Sequence, residues 1–567
     1  MQYLQNPRHD SDRVTLHNAV LNDVHGNQHL HIHQAPSGLS EEERLLAFLK
    51  PVTAERDKYD VPGCMEETRK DILQRIHDWL GNFAAPNVLY ISGSPGAGKS
   101  AIASTLVSNL TKRRRRNSHF FFKRGHASLG DPTTLWRTVA FDLARFYPDV
   151  KNSLLEFSKQ AHPRDTDIIL HFECMIMQPL LSNLDKFSAD PLVIVLDALD
   201  ECDFDVSKPH PILRTLELWS DLPSSFKLVV TGRDEHLQVS FPVDRIELEV
   251  GDSVSLQTTN DIRLFFENRF TQIVKSYPSL SPTWPGKAII DQLTTRAEGL
   301  FLWAESAMVF MKEGQHDHLR VTDKLDHIIA GKLGKRMNDI DAHYRGILNF
   351  HFENSDDTTL DVLKAAVGLI VVAKIPLHRD DLKHFLAGRK DYDELRVDSI
   401  LRRLSSVIAF RPDGTLRIRH PTFAEFLTDA SRCQQSFTID RSAQSRILAL
   451  TCFQLMNGGL KFNICDLKTS YLRNDDVKDL TSRIEEAIPA HLSYSCRFWA
   501  EHLRDSPNDD EFLNVIADFL QIRLLYWLEV LSLIKEVSVA SVALLTLAQW
   551  INVSLTCFNY HLHCSRI

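Results

Sequence analysis

Apolar residues fall into two patterns along the chain. Between about residues 88 and 250, short apolar runs alternate with stretches whose apolar positions recur every three or four residues. The runs at 88–92, 119–122, 192–196, 226–231 and 245–250 predict five strands. Leu192, Val193, Ile194, Val195 and Leu196 show no polar alternation, as expected of a strand covered on both faces. Residues after Lys99 predict a helix with Ile102, Ala103, Leu106, Val107 and Leu110 inward, and 133–147 and 166–184 predict two more. Ahead of the first strand, Ser40 with Glu41, Glu42 and Glu43 makes a capping-box start, and 66–80 predicts a helix with Ile72, Ile76 and Leu80 inward. Strands interleaved with helices predict a doubly wound parallel α/β domain.

After Gly251 the strand pattern nearly vanishes. Residues 259–274 and 285–311 predict long helices. Residues 363–372, 379–386 and 395–404 predict three more, followed by a β-hairpin of 407–411 and 416–419 turned at Pro412-Asp413-Gly414-Thr415. Three helices and a hairpin fit a winged-helix module. From 440 onward the pattern is helical, with Trp499, Trp527 and Trp550 expected in the core.

Composition narrows the function class. At roughly 150 residues per domain, 567 residues suggest about four domains. Hydrophobic residues at 43% and charged residues at 25% exclude a mostly disordered chain. A net charge of −9 argues against nucleic acid as the main partner, because little would offset phosphate repulsion over a large face. The basic run from Lys112 to Arg116 is better explained as a solvated helix end than as a localisation signal or a nucleic-acid-binding stretch. The nine cysteines include no C-x-x-C pair, which argues against a disulfide framework or a Cys-rich zinc site. Residues 537–548, the longest apolar-leaning stretch, fall short of the roughly 20 needed to span a bilayer. A cytoplasmic protein without a stable membrane span is expected. His29, His31 and His33 would share one face of a strand, where an exposed polar segment, a metal site and a β-forming signalling stretch are the readings.

Candidate chemistry concentrates in the first pattern. Gly93-Ser94-Pro95-Gly96-Ala97-Gly98-Lys99-Ser100 meets G-x-x-x-x-G-K-[ST] at every fixed position, with an apolar strand before it and an amphipathic helix after it. Glycines let the backbone wrap a phosphate, and the helix N-terminus adds partial positive charge. Lys99 is expected to reach the β- and γ-phosphates, and Ser100 to place its hydroxyl on Mg²⁺. Asp197 ends the buried third strand, where a carboxylate needs a partner such as that same Mg²⁺. Asp200 or, second, Glu201 is placed to orient or deprotonate an attacking water. Arg233, at the end of the fourth strand, is placed to sense a γ-phosphate. No Asn-Lys-x-Asp element follows that strand, which favours adenine without deciding between ATP and GTP.

These residues resemble the NACHT NTPases of the signal-transduction ATPases with numerous domains (STAND), in particular the fungal type with a nephrocystin-3-like N-terminal domain. Asp197-Ala198-Leu199-Asp200-Glu201 matches that family's acidic motif and Thr231-Gly232-Arg233 its arginine sensor. Tyr59, Cys64, Thr68 and Arg69 are similar to the stretch before its phosphate loop, Gly299 through Ala304 to the helix after its sensor, and His420 through Leu427 to its winged helix. Gly299-Leu300-Phe301 departs from the family's frequent Gly-x-Pro. The resemblance implies a five-stranded sheet ordered 5-1-4-3-2, with Arg233 ending the strand between the two phosphate motifs. It implies ATP or ADP bound by residues Gly93 to Ala101, by Arg69, and by His420 at the β-phosphate. It divides the chain into a partly ordered segment at 1–38, a helix and linker at 39–57, a NACHT domain at 58–252, a helical domain at 253–345, a winged-helix domain at 346–435 and a helical region at 436–567.

The resulting expectation is a signal-transduction protein of fungal innate immunity, switched by nucleotide through slow ATP hydrolysis and assembling into nucleotide-dependent homo-oligomers. The alternative is a scaffold that binds nucleotide, contacts other proteins and never hydrolyses. A P-loop enzyme acting on a small molecule is disfavoured, because the appendages are helical and winged-helix units rather than a substrate lid.

Overall fold

The structure is a computed structural model. It describes residues 40–53, 61–124, 126, 128–160, 167–184, 191–202, 211–233, 241–312, 321–329, 340–388, 393–411, 413–469, 471–507 and 511–564. The histidine-rich segment and Tyr59 lie outside the described residues.

Five parallel strands form the central sheet: β1 Val88–Gly93, β2 Asn117–Phe121, β3 Leu192–Asp197, β4 Phe226–Gly232 and β5 Asp244–Leu248. Their order, β2-β3-β4-β1-β5, is the expected order read from the other edge. Side chains alternate between two cores, as a period of two requires. Leu192, Ile194 and Leu196 join Trp136, Phe172 and Trp219 on one face, whereas Val193 and Val195 join Ile102, Ala103 and Leu106 on the other. The register pairs Ser92 with Gly232 and Leu196 with Val230, so the strand ends at Gly93, Asp197 and Gly232 arrive at one edge of the sheet. That edge, at the carboxyl ends of parallel strands, is where ligands of open α/β sheets bind.

Two predicted helices start or break elsewhere. The helix expected over 66–80 runs Lys70–Gly81, because Glu67 and Arg69 take left-handed backbone (φ 73° and 58°) and hold the turn open. The helix expected over 285–311 is two helices, Lys287–Ala297 and Phe301–Lys312, interrupted by left-handed Glu298 and Gly299. The break matters for the site, since it aims the start of Phe301–Lys312 at the phosphate loop. Helices Pro148–Gln160 and Pro211–Ser220 were not anticipated.

Helix Leu256–Ser276, capped by Ser255, opens the helical region. Helices Asp357–Val372, Leu382–Leu386 and Glu394–Arg403 then surround a small antiparallel sheet of β6 Leu377–His378, β7 Ile408–Phe410 and β8 Thr415–Ile418, ordered β6-β8-β7. The hairpin was expected, and β6 is an addition to it. Helix Pro421–Thr428 follows and faces the main sheet edge. Helices Arg441–Gly459 and Ala490–Arg504 pack tightly in the C-terminal part, where Trp499 and Trp527 are fully buried and Trp527 Nε1 donates to the Cys496 carbonyl at 2.8 Å. Among the described residues, the cysteines are free thiols and no helix is long and apolar enough to cross a membrane.

Gly299 carries a testable consequence. Its φ is +88°, and a Cβ there would lie 2.9 Å from Val254 Cγ2 and 3.1 Å from the Glu249 carbonyl oxygen. Gly299→Ala is expected to destabilise the protein by roughly 1–3 kcal/mol, read as a lower urea midpoint at unchanged slope.

Candidate functional site

The phosphate-loop motif forms a turn between β1 and helix Lys99–Lys112, braced from two sides. Gly96 has φ +86°, and a Cβ on it would fall 2.6 Å from Leu302 Cβ. Leu302 N–H donates to the Gly96 carbonyl at 3.1 Å, so the helix start freed by the Glu298-Gly299 break rests directly on the loop. From the other side, buried Arg69 donates from Nη2 to the Ala97 carbonyl at 2.7 Å and from Nη1 to Thr258 Oγ1 at 2.8 Å. Its backbone N–H donates to Asp261 Oδ2 at 2.9 Å, and its guanidinium lies over the Phe301 ring, 4.8 Å from the centroid. Arg69, expected as a nucleotide contact, thus fastens the loop to the helical region and also lines the adjacent cavity.

The helix after the loop begins at left-handed Gly98 with no side-chain cap, although Ser40, Asp167, Ser255, Asp356 and Asp440 cap other helices. Its first N–H groups are therefore suited to an external anion. Lys99 folds back on the loop, with Nζ 2.6 Å from the Gly93 carbonyl and 3.1 Å from that of Ser94. Burial pulls its pKa down, and the charges of Asp200 and then Asp197 oppose the shift.

Asp197 is 2% exposed. Its Oδ1 accepts from Thr231 Oγ1 at 2.6 Å, and Ser100 also hydrogen-bonds to it. Burial drives the carboxyl pKa up, while Thr231, Ser100 and Lys99 favour the charged form. Thr231 Oγ1 in turn accepts the Ala198 N–H at 2.9 Å, which stabilises the left-handed backbone of Ala198 (φ 55°) directly after the acid. Lys99, Ser100 and Asp197 thus face one another across the sheet edge.

Past Ala198 a single 3₁₀ turn, Leu199–Glu201, presents the other two acids. Asp200 Oδ2 is ion-paired with Arg233 Nε at 2.8 Å. Burial, then the charges of Asp200 and Asp197, pushes the Glu201 carboxyl up to about 7. β4 lies between β1 and β3, so Arg233 stands between the two phosphate motifs as expected.

Two groups that sequence patterns did not reveal complete the cluster. Arg233 Nη2 reaches Glu425 Oε1 at 2.9 Å, and Arg124 Nη1 reaches the same oxygen at 3.0 Å. Arg124 Nη2 also donates to the Asp200 carbonyl at 2.5 Å. Glu425 lies in helix Pro421–Thr428, 192 positions from Arg233 and 301 from Arg124, and no local spacing announces such a pairing. His420 caps that helix: its Nδ1 accepts the Thr422 N–H at 3.3 Å and lies 2.8 Å from Thr422 Oγ1. Burial, with Lys99 and Arg233 nearby, lowers its pKa to about 3. The ring is therefore neutral at physiological pH. With Nδ1 accepting, its proton sits on Nε2, which makes it a neutral hydrogen-bond donor.

A cavity of about 610 Å³ lies between the sheet edge, the helical region and the small antiparallel sheet. That is within the roughly 300–1,000 Å³ of small-molecule sites. Gly98, Ser100, Ala101, Asp197, Glu201, Arg69, His420 and Glu425 line it, whereas Gly93 to Ala97, Lys99, Asp200 and Arg233 are not among the lining residues.

The family model for the nephrocystin 3 N-terminal domain matches residues 67–233, a span that holds the phosphate loop, the acidic cluster and Arg233. The vegetative incompatibility protein HET-E-1 of Podospora anserina is 24% identical over 482 residues, covering 79% of this chain. The chain spans about a third (33%) of that relative's length. Among solved structures, a STAND protein with a tetratricopeptide-repeat sensor from Pyrococcus horikoshii is 14% identical, with a TM-score of 0.37 over 85% of this chain and 65% of its own. A Walker-type ATPase of Pyrococcus abyssi is 15% identical, with a TM-score of 0.32 over 64% of this chain and 97% of its own. At these scores neither structural likeness adds to what the sheet order already shows. The phosphate loop, the acidic strand end and the arginine of β4 fall inside the matched span, and in these features the chain is similar to the NACHT-type P-loop NTPases of the STAND class.

Proposed function

We propose that this protein is a nucleotide-controlled signalling switch that binds ATP and ADP in the cavity at the sheet edge. The observation carrying this reading is convergence at one sheet edge: Ser100, Asp197, Glu201 and His420 line one cavity, and Lys99 and the Arg233–Asp200 pair lie close beside those acids. The uncapped N-terminus of helix Lys99–Lys112 suits a phosphate chain, and Lys99 would neutralise it. Ser100 and Asp197 would hold Mg²⁺, which supplies further charge neutralisation at the phosphates. His420 would donate from Nε2 to a diphosphate.

In this reading residues 58–252 form the NTPase domain, 253–345 a helical domain, 346–435 a winged-helix domain and 436–567 a C-terminal helical region. The small sheet and helix Pro421–Thr428 act as the winged helix that covers the nucleotide in the diphosphate state. Exchange for triphosphate releases it and frees surfaces for assembly with further copies, and slow hydrolysis resets the closed form. The name of the Podospora relative, a vegetative incompatibility protein, supports a signalling role in fungal self-recognition or immunity.

A second reading, a nucleotide-binding scaffold without turnover, is favoured by one observation. The Asp200 carboxylate is held by Arg233 rather than presented to a water. Turnover measured on purified protein separates the two. Lys99→Ala is expected to weaken nucleotide binding at least a hundredfold, about 2.7 kcal/mol. Asp200→Asn is expected to retain binding and lose hydrolysis. Tight binding with no turnover in the unaltered protein would select the scaffold, and absence of ATP or ADP binding would refute both.

Thr231→Val tests whether Asp197 needs its hydroxyl partner. The substitution keeps the shape of the side chain but leaves Asp197 Oδ1 and the Ala198 N–H without that hydroxyl. It is expected to cost roughly 1–3 kcal/mol of stability by denaturant titration. It should also weaken Mg²⁺-dependent nucleotide binding more than binding measured in chelator.

A further inference from the structure

Glu425 is the one acidic side chain that helix Pro421–Thr428 brings to the two arginines of the sheet edge. Its Oε1 receives Arg233 Nη2 at 2.9 Å and Arg124 Nη1 at 3.0 Å, so two guanidinium groups from separate loops converge on a single oxygen. Its side chain is 22% exposed, against 25% for Arg233 and 39% for Arg124. Charge-assisted bonds of this kind are roughly twice as strong as neutral ones. Both arginines are also tied to the acidic turn: Arg233 Nε to Asp200 Oδ2 and Arg124 Nη2 to the Asp200 carbonyl. The burial of Arg233 would lower its pKa, but Glu425 and Asp200 outweigh that and hold it above the usual value.

Resting on the switch reading above, we infer that Glu425 is an internal anion that competes with the γ-phosphate of a bound nucleoside triphosphate for Arg233 and Arg124, and that Arg124 is a second triphosphate-reading arginine. A ligand shifts a two-state equilibrium only by the difference in its affinity for the two states. A diphosphate leaves the two arginines with Glu425, and helix Pro421–Thr428 stays seated. A triphosphate brings a new anion to the same donors, and every bond the arginines give to it must be taken from Glu425. The carboxylate thereby converts a difference of one phosphoryl group into a difference in how firmly the helix is held. His420, on the same helix, has its Nδ1 committed to Thr422, and the β-phosphate its Nε2 would meet is present in both nucleotides, so His420 does not itself tell them apart.

Arg124 is the residue that makes this more than a single ion pair. It follows β2, which β3 separates from β4, so the two arginines reach Glu425 from the ends of different strands. Its backbone N–H also points at Glu201 Oε2, at 3.4 Å. A change of partner at Arg124 is therefore felt at both Asp200 and Glu201, the two candidates for orienting water. The closed pairing with Glu425 keeps the acidic turn and the arginines in an arrangement occupied by the protein's own charges.

The test uses the full chain and measures the affinities for ADP and for a non-hydrolysable ATP analogue by competition against a fluorescent nucleotide. Glu425→Gln keeps the side-chain shape and removes the charge. It is expected to raise the ratio of ATP-analogue to ADP affinity about tenfold. In the Arg124→Gln background the same substitution is expected to raise the ratio by no more than about threefold, since one of the competing donors is gone. Glu425→Asp, which keeps the charge, is expected to stay near the unaltered ratio and serves if Glu425→Gln folds poorly. A merely structural Glu425 would lower the melting temperature and leave the ratio unchanged. An unchanged ratio in Glu425→Gln, with Lys99→Ala still abolishing binding, overturns the competition while leaving the switch reading standing. Absence of nucleotide binding in the unaltered protein overturns both.

Discussion

A carboxylate that is 2% exposed at the end of a fully apolar strand is the constraint around which the rest is arranged. Left alone, Asp197 would cost several kcal/mol in its charged form, or would simply take up a proton. Three neighbours oppose that: the Thr231 hydroxyl from β4, the Ser100 hydroxyl from the phosphate-loop helix, and the Lys99 charge. They come from two elements, β4 and helix Lys99–Lys112, and both must meet the end of β3 at one sheet edge. Parallel pairing in the observed register brings them there. Thr231 serves twice, since it also receives the Ala198 N–H and steadies the left-handed turn that presents Asp200 and Glu201.

The phosphate loop is held by a different logic. Its glycines let the backbone bend, but bending alone fixes nothing. Leu302 and Arg69 supply the fixation, one from the helical region and one from the turn before helix Lys70–Gly81. Arg69 joins the loop to Thr258 and, through its backbone, to Asp261, and it stacks on Phe301. The loop's shape is thus coupled to two helices outside the sheet domain. The small antiparallel sheet and helix Pro421–Thr428 add the opposite wall of the cavity, the helix through His420 and Glu425, so one cavity is bounded by three parts of the chain.

Much of this was legible in the residues, and the limits have physical causes. β1, the loop and its helix are a local pattern within about 25 residues, and the apolar run ending in Asp197 is another, so both could be read directly. Arg233 was legible as a strand-end arginine, and its position between the phosphate motifs followed from family resemblance rather than from spacing. Contacts that close across hundreds of residues were not legible, as with Glu425 to Arg124 and Arg233. The break at Glu298-Gly299 was hidden in a run of apolar residues that reads as one helix, because periodicity does not register two residues of left-handed backbone. Arg69 was identified as relevant but for another reason: it clamps the loop as well as lining the cavity. β6, two residues long, is too short to leave any pattern.

The central claim is that the identity of the nucleotide decides how firmly helix Pro421–Thr428 is seated on the sheet edge. Hydrogen exchange at the amides of that helix, compared with ADP and with a non-hydrolysable ATP analogue at saturation, tests it most directly. The account predicts strong protection with ADP and exchange about tenfold faster with the triphosphate, a difference of about 1.4 kcal/mol in local opening. Equal exchange with the two nucleotides, both bound, would contradict it.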